Sequence, residues 1–194
     1  MGQAAKRLGM DRKRDPRLRD AALTKEGRWQ AQQLTEYEFE ETPELIVSSP
    51  LTRALHTAIL GFPSHRSNIL IHYDLAELGS RAPENTPRPI QHVLNDLITD
   101  RVDYMSLLPA TWPAVLYDGN NNRTKAIRRA MQYLFEEREE EIIAVVCHFN
   151  VIRQIVDDGG SLRPQNALPI HCELRPNGQV VQIDEEARKQ LDFG

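Results

Sequence analysis

Polar side chains that suit anion binding or acid/base chemistry follow three apolar runs of the sequence. His148 ends the run EIIAVVC, Arg53 comes soon after PELIVSS, and Glu77 follows NILIHYDLA. A guanidinium offers a fork of donors that matches a phosphate or a carboxylate, and an imidazole and a carboxyl group can act as base and acid. Together, the three residue types are typical of a phosphoryl-transfer site or of another acid/base pocket.

The apolar runs that precede these residues predict buried strands of a parallel sheet. A helical pattern follows one of them, and we expect Ser49 to cap this helix and Pro50 to occupy its first position. Arg53 would then lie in the opening turn, at the positive end of the helix dipole. Ligands of open α/β sheets bind beyond the carboxyl ends of the strands, so the pattern predicts that Arg53, Glu77 and His148 meet there.

The remaining patterns complete an α/β fold. Helical spacing of apolar residues marks residues 24–39, 88–99 and 122–141. Residues 167–184 predict two strands that Pro176-Asn177-Gly178 joins in a hairpin. Since strands alternate with helices almost throughout, we predict a mainly parallel sheet flanked by helices, with an antiparallel C-terminal edge.

Length and composition favour one domain, residues 1–194, in a reducing and cytoplasmic setting. No apolar stretch is long enough for a membrane span or a signal peptide, and two cysteines are too few for a disulfide framework. The net charge of −4 argues against nucleic acid as a partner, and residues 1–20 are predicted to form a basic, mobile arm. The other histidines show no metal-ligand spacing, so we expect neither a metal nor another cofactor.

Each candidate side chain also has a structural interpretation. Arg53 on an exposed turn is commonly a surface charge. For His148 a hydrogen-bonded histidine of the core is the less favoured alternative, because buried strands rarely end in an unneeded polar ring. Cys147 suggests a thiolate nucleophile, but adjacent strand residues point to opposite faces, which argues against a pair with His148. The residues alone leave these alternatives open.

Three segments resemble the histidine phosphatase superfamily, the phosphoglycerate mutase-like proteins. They are LTKEGRWQAQQL, VSSPLTRALHTAIL and AVVCHFNVIRQI, which occur in the family's order within residues 23–155. The resemblance implies the α/β fold of that family and a phosphorylated or carboxylated small molecule as ligand. It assigns Ser49 and Arg53 to anion binding, His148 to the second pocket histidine, and Glu77 to the acidic proton donor.

The sequence departs from this family at its N-terminus. Members begin with a strand that ends in Arg-His-Gly, whose histidine accepts the phosphoryl group, whereas this sequence begins MGQAAKRLGMD. The alignment puts Met1 in place of the nucleophile and assigns Gln3 and Arg7 to anion binding in the following loop. The usual first strand is therefore expected to be absent, and another segment or a second copy of the chain would cover the gap in the sheet.

A second departure follows His148, where Phe149-Asn150 replaces the family's Gly-Gly and adds bulk close to the ligand. Three hypotheses result. The first is a degenerate family member that keeps an anion pocket and uses Glu77 and His148, if at all, in a non-hydrolytic reaction. The second is an active phosphomonoesterase completed by a further strand or in trans, and the third is a non-catalytic interaction module. In the first two, residues 74–89 and 107–122 are expected to cover the pocket.

Overall fold

The computed structural model describes residues 15–65, 68–78, 82–97, 99–103, 123–156 and 162–183. Five α-helices lie in this part of the chain: α1 (Lys25–Gln33), α2 (Thr52–Gly61), α3 (Ile90–Leu97), α4 (Arg123–Glu136) and α5 (Phe149–Ile155). The strands are β1 (Leu45–Ser48), β2 (Ile69–Ile71), β3 (Val102–Asp103), β4 (Ile143–Val146), β5 (Cys172–Leu174) and β6 (Val180–Gln182). Short 3-10 turns cover Pro16–Leu18, Leu34–Glu36, Tyr73–Leu75 and Pro83–Asn85.

The first four strands form one parallel sheet in the order β3-β2-β1-β4, and β5 and β6 form a separate antiparallel pair. This arrangement confirms the predicted α/β fold and its C-terminal hairpin. Among the described strands, however, the hairpin is a separate sheet and does not form the predicted antiparallel edge of the parallel sheet. β3 was not predicted, because its two residues are too few to show a strand pattern. In the described part of the chain, no strand precedes β1 and no helix is long and apolar enough to cross a membrane.

Two apolar clusters lie on opposite faces of the sheet and follow the alternation of strand side chains. Leu45 and Val47 of β1 belong to the cluster that α4 and α5 cover. Ile46, between them, belongs to the cluster that α2 and α3 cover. All four residues of β1 are buried, as expected for a central parallel strand with helices on both faces.

The start of α2 differs from the prediction. The helix begins at Thr52 rather than at Pro50, and its N-cap residue is Leu51, which makes no capping hydrogen bond through its side chain. Ser49 does not cap the helix, but its Oγ accepts a hydrogen bond from the Leu51 N–H at 3.2 Å. The first helical N–H instead reaches the buried carboxylate of Asp20, whose Oδ1 lies 2.8 Å from the Thr52 nitrogen.

The segment predicted as a basic arm packs onto the fold at its C-terminal end. The Arg19 guanidinium donates to the Pro87 carbonyl at 2.8 Å, and the Asp20 N–H donates to the Pro83 carbonyl at 3.0 Å. Residues 15–20 therefore form part of the folded structure. Residues 1–14 lie outside the described residues, and mobility there stays a prediction.

The strand β4 is more exposed than β1. Its four residues are only partly buried, and among the residues that the structure describes no strand pairs with its outer edge. The carbonyl groups of Ile142 and Val146 accept hydrogen bonds from the β1 side. Because successive residues of a strand direct their N–H and C=O groups to alternate sides, Ile143 and Val145 direct theirs away from β1.

The close approach of α1 and α2 gives a test of the packing. An alanine Cβ at Gly61 would lie 2.6 Å from Leu34 Cδ1 and 3.3 Å from the Ala31 carbonyl oxygen. We expect Gly61→Ala to lower the free energy of unfolding by about 1 to 2 kcal/mol, because backbone as well as side chain must move. Urea unfolding measures the change.

Gly27 in α1 is the matched control. The nearest atom to a Cβ at Gly27 is the flexible end of a side chain, Leu23 Cδ2 at 3.2 Å. Gly27→Ala should therefore stabilise the protein by about 0.5 to 1 kcal/mol through helix propensity. Equal effects of the two substitutions would contradict the proposed role of the α1–α2 contact.

Candidate active site

Three neighbouring strands deliver the candidate residues to one edge of the sheet. β2, β1 and β4 are adjacent and parallel, so their carboxyl ends lie together. The Ser48 carbonyl accepts a hydrogen bond from the residue that follows β2 (3.0 Å), and the Ser49 N–H donates to the last residue of β4 (2.9 Å). Ser49 therefore lies between the ends of the strands that lead to Glu77 and to His148.

His148 is buried and bonded to a serine. Its side chain Nε2 lies 2.7 Å from the Ser49 Oγ, and only 6% of the residue is exposed. Burial holds the His148 pKa well below its usual value, and the positive charges of Arg53 and Arg123 lower it further. The imidazole is therefore neutral near pH 7, and the Ser49 hydroxyl can donate to an unprotonated Nε2 or accept from a protonated one.

Glu77 is a partly buried carboxyl group with several donors around it. The Leu78 N–H lies 2.7 Å from its Oε1, and the side chain and backbone N–H of Asn150 also donate to it. Burial raises the Glu77 pKa, and these hydrogen bonds and the charge of Arg53 oppose that rise. A carboxyl group that keeps its proton to a higher pH is suited to donate it to a leaving group.

Arg53 is held by the loop after β2. Its Nη1 donates to the Glu84 carbonyl at 2.7 Å, and its Nη2 donates to the Asn85 Oδ1 at 2.9 Å. Its charge lowers the pKa of both Glu77 and His148. Arg53 also comes four residues after Ser49, which is hydrogen-bonded to His148. The structure thus brings Ser49, Arg53, Glu77 and His148 together, while their roles in binding and catalysis stay predictions.

Cys147 does not have the properties of a nucleophile. Burial raises its pKa to about 12, and the nearby Glu77 carboxylate adds to this rise, although the His148 backbone N–H opposes it. The side chain packs against the core cluster on the α4 and α5 face. The group is therefore a thiol at neutral pH, which argues against the thiolate alternative.

Two of the predicted anion-binding residues, Gln3 and Arg7, lie outside the described residues. The same holds for the predicted covering loop at residues 107–122. Most of the other predicted covering loop, residues 74–89, is described, and residues 84–85 of it bond to Arg53. Within the described ranges, no group of three potential metal ligands comes together.

Sequence reasoning missed two polar residues of this site. Asn150, in the position of the family's second glycine, donates to Glu77. Arg123, the first residue of α4, donates from Nη2 to the Ala76 carbonyl at 2.6 Å. The local sequence holds no signal for Arg123, because its contact with Ala76 joins residues that are far apart in the chain.

His72 was also not singled out, although it follows β2 at the same edge. It is buried, and its ring centroid lies 5.6 Å from that of Tyr73 and 5.9 Å from that of Tyr133. Its Nδ1 accepts a hydrogen bond from the Asp74 N–H at 3.3 Å. Burial lowers the His72 pKa to about 4, so this ring is a neutral part of the packing between β2 and α4.

The comparison with protein families decides the relationship. The model described as the histidine phosphatase superfamily (branch 1) matches residues 10–191, nearly the whole chain. The chain belongs to the histidine phosphatase superfamily. The resemblance that the three sequence segments indicated is thereby confirmed.

A solved structure supports the fold of this superfamily member. It is the crystal structure of a protein from Escherichia coli K-12, provisionally assigned as an alpha-ribazole-5'-P phosphatase. The match has a TM-score of 0.55 and 19% sequence identity, and it covers 84% of this chain and 82% of that chain. At this identity the likeness concerns the fold alone. No curated protein matches the sequence.

Proposed function

We propose that this histidine phosphatase superfamily member keeps an anion pocket but does not perform the family's usual phosphoryl transfer. The observation that carries the proposal is the contact of His148 with Ser49 at 2.7 Å, four residues before Arg53, at the carboxyl edge of the sheet. The charge of Arg53 acts on the pKa of both His148 and Glu77. A cation, a protonatable carboxyl group and a neutral imidazole at one place suit a phosphorylated or carboxylated small molecule.

The sequence supports the second half of the proposal. Superfamily members use a histidine in an Arg-His-Gly triplet as the nucleophile, and this triplet does not occur among the 194 residues. The usual acceptor of the covalent route is therefore not among these residues. The remaining pair suits proton transfer, with Glu77 as the acid and the neutral His148 as the base.

A bound anion would change the state of the pocket. His148 is neutral because burial and two neighbouring cations disfavour its charged form. A phosphate or carboxylate placed beside the ring would offset both effects and raise the His148 pKa. Ser49 contacts Nε2 at 2.7 Å, so a ligand that binds at this nitrogen would also meet the serine hydroxyl.

The exposed edge of β4 favours a second candidate function. Its outer N–H and C=O groups face away from β1, and its apolar side chains are only partly buried. A further strand docked there from a longer form of the chain could place a nucleophile next to His148 and give an active phosphomonoesterase. A second copy of the same 194 residues could cover the edge, but it would have to supply a histidine that does not stand in an Arg-His-Gly triplet. A chain that sediments as a monomer and has no strand at this edge would exclude completion in trans.

Hydrolysis of p-nitrophenyl phosphate separates the two candidates. We expect no turnover by the purified 194-residue chain above the background of its His148→Ala variant, because the covalent acceptor is missing. Turnover that His148→Ala abolishes would mean that a complete phosphoryl-transfer site exists. The assay should span a range of protein concentrations, since a site completed in trans gains specific activity as copies associate.

Inorganic phosphate tests the pocket itself. At a concentration ten times its Kd, phosphate should stabilise the wild-type chain by about 1.4 kcal/mol, seen as a higher midpoint of thermal unfolding. Arg53→Ala should weaken phosphate binding at least about tenfold, because it removes a charge-assisted donor. Arg128→Ala, an exposed arginine of α4, is the matched control.

The phosphate assay also addresses the third hypothesis. If Arg53→Ala and Arg128→Ala respond to phosphate alike, the pocket does not select an anion, and the non-catalytic interaction module becomes the better interpretation. Arg53→Lys keeps the charge without the fork of donors. It should lie between wild type and Arg53→Ala if the anion is bound by direct hydrogen bonds.

A further inference from the structure

Arg123 is a partly buried cation that contacts residues outside its own helix. It is the first residue that the structure describes in α4, and no acidic residue occurs in the turn that follows. The role of its charge therefore has to be sought in the elements that it touches.

The contacts of Arg123 converge on the segment that leads to Glu77. Its Nη2 lies 2.6 Å from the Ala76 carbonyl oxygen and 3.5 Å from the Asp74 carbonyl oxygen. Its Nη1 lies 4.0 Å from the Asp74 Oδ1, and the Asp74 side chain is only 5% exposed. One guanidinium thus ties the 3-10 turn Tyr73–Leu75 and the residue immediately before Glu77 to the start of α4.

Without Arg123, the Asp74 carboxylate and the Ala76 carbonyl group would lose a positively charged partner. Burial raises the Asp74 pKa, and the charge of Arg123 is the largest effect that opposes this rise. A buried carboxylate and a carbonyl oxygen that lose a charged donor carry a desolvation cost. The segment after β2 would consequently relax when Arg123 is removed, and Glu77 would move with it.

Arg123 also acts on His148. Burial is the largest cause of the low pKa of His148, the charge of Arg53 is the second, and the charge of Arg123 is the third. The guanidinium therefore lies near enough to the imidazole to add to the positive potential that an anion would meet. Its side chain is 27% exposed, so it is neither a surface charge nor sealed in the core.

We propose that Arg123 is a positioning residue that holds Glu77 against Arg53 and His148 and adds a second positive charge to the anion pocket. This inference rests on the proposed function for its link to an anion. The geometric part, the placement of Glu77, stands independently of any ligand. A guanidinium suits both tasks, because Nη2 reaches the Ala76 and Asp74 carbonyl groups while Nη1 faces the Asp74 carboxylate, and the group stays charged at every accessible pH.

Hydrogen exchange of one amide tests the geometric part without a ligand. The Leu78 N–H donates to the Glu77 Oε1 at 2.7 Å, so its exchange rate depends on where the Glu77 carboxyl group lies. In Arg123→Gln we expect the Leu78 amide to exchange about tenfold faster than in wild type. The amide of Leu134, in the same helix but distant from the site, should exchange at an unchanged rate.

Two variants keep the result interpretable. Arg128→Gln removes an exposed arginine from the same helix and should leave the Leu78 amide unchanged. Arg123→Lys keeps the charge but replaces the fork by a single point donor, so its effect should be smaller than that of Arg123→Gln. If Arg123→Gln does not fold, Arg123→Lys still tests the inference through the same amide.

Phosphate binding connects the inference to the pocket. Arg123→Gln should weaken phosphate binding about three- to tenfold relative to wild type, with no loss in Arg128→Gln. Unchanged exchange of the Leu78 amide in Arg123→Gln would overturn the inference, as would unchanged phosphate affinity in a wild-type chain that binds phosphate. Faster exchange in a chain that binds no phosphate would support the positioning of Glu77 and overturn the proposed anion pocket instead.

Discussion

Replacing Asp20 by alanine is expected to lower the free energy of unfolding by about 3 to 4 kcal/mol. The Asp20 side chain has no exposed surface, and its two oxygens accept from the Thr52 N–H at 2.8 Å and from the Thr52 hydroxyl at 2.7 Å. The first of these donors is the first N–H of α2, which has no partner within the helix. Asp20→Ala leaves that buried N–H without an acceptor and removes a negative charge from the helix N-terminus.

The backbone of Asp20 adds to the effect. Its φ of 48° lies in the left-handed region, which aspartate and asparagine tolerate better than alanine. Asp20→Asn keeps an acceptor for the Thr52 N–H and should cost only about 1 to 2 kcal/mol.

Urea unfolding at pH 7 measures these differences, and Asp96→Ala is the control. Arg88 pairs with both carboxylates, with Asp20 at 3.4 Å and with Asp96 at 2.7 Å, but the Asp96 side chain is 57% exposed. Its removal should change the stability by less than about 0.5 kcal/mol. A loss in Asp20→Ala no larger than that in Asp96→Ala would show that the buried contact to α2 contributes little.

Asp20 illustrates why the start of α2 was predicted incorrectly. The local sequence Ser49-Pro50 is typical of a helix start, because a serine commonly caps and a proline commonly follows it. In the folded chain the capping oxygen belongs to a residue 32 positions earlier. A contact over that distance has no signature in a local pattern, whereas the apolar run that forms β1 does.

The same distinction separates the predicted site residues from those that were missed. Ser49 and His148 follow apolar strands directly, and parallel strands have their carboxyl ends together, so their proximity could be derived from the sequence. Arg123 reaches the site across 47 residues, and Asn150 is recognised only by its contact to Glu77. Residues whose role depends on a partner in another element need the tertiary structure to be found.

The stability of the protein is expected to fall at acidic pH because of His72. Between pH 7 and pH 5, His72 alone should reduce the free energy of unfolding by about 2 kcal/mol. Burial lowers its folded pKa to about 4 from a usual value of 6.5. The unfolded chain therefore binds a proton at this ring as the pH falls below 6.5, while the folded chain does not.

The sign follows from proton linkage. A histidine with a lowered folded pKa contributes its stability fully above pH 6.5 and loses it as the pH falls toward the folded value. His148 and His56, whose pKa values are also lowered, act in the same direction. The raised pKa values of Asp74 and Glu77 act in the opposite direction, because folding then favours their protonated forms.

His72→Phe separates His72 from these other groups. Phenylalanine preserves the ring contacts with Tyr73 and Tyr133 but cannot bind a proton. The variant should be less stable than wild type at every pH, because the Asp74 N–H loses its acceptor. The loss of unfolding free energy between pH 7 and pH 5 should nevertheless be smaller than in wild type by about 2 kcal/mol. Contributions from the other titrating groups are common to both proteins and largely cancel in this difference.

Urea unfolding at half-unit pH intervals measures the two slopes, and His92→Gln controls for the loss of a histidine from the chain. His92 lies exposed on α3, so its removal does not alter the buried ring. If wild type and His72→Phe decline in parallel, His72 takes up its proton equally in the folded and unfolded chains. That result would contradict the prediction. It would mean that the folded chain charges a ring that is 6% exposed between two tyrosines without a cost in free energy.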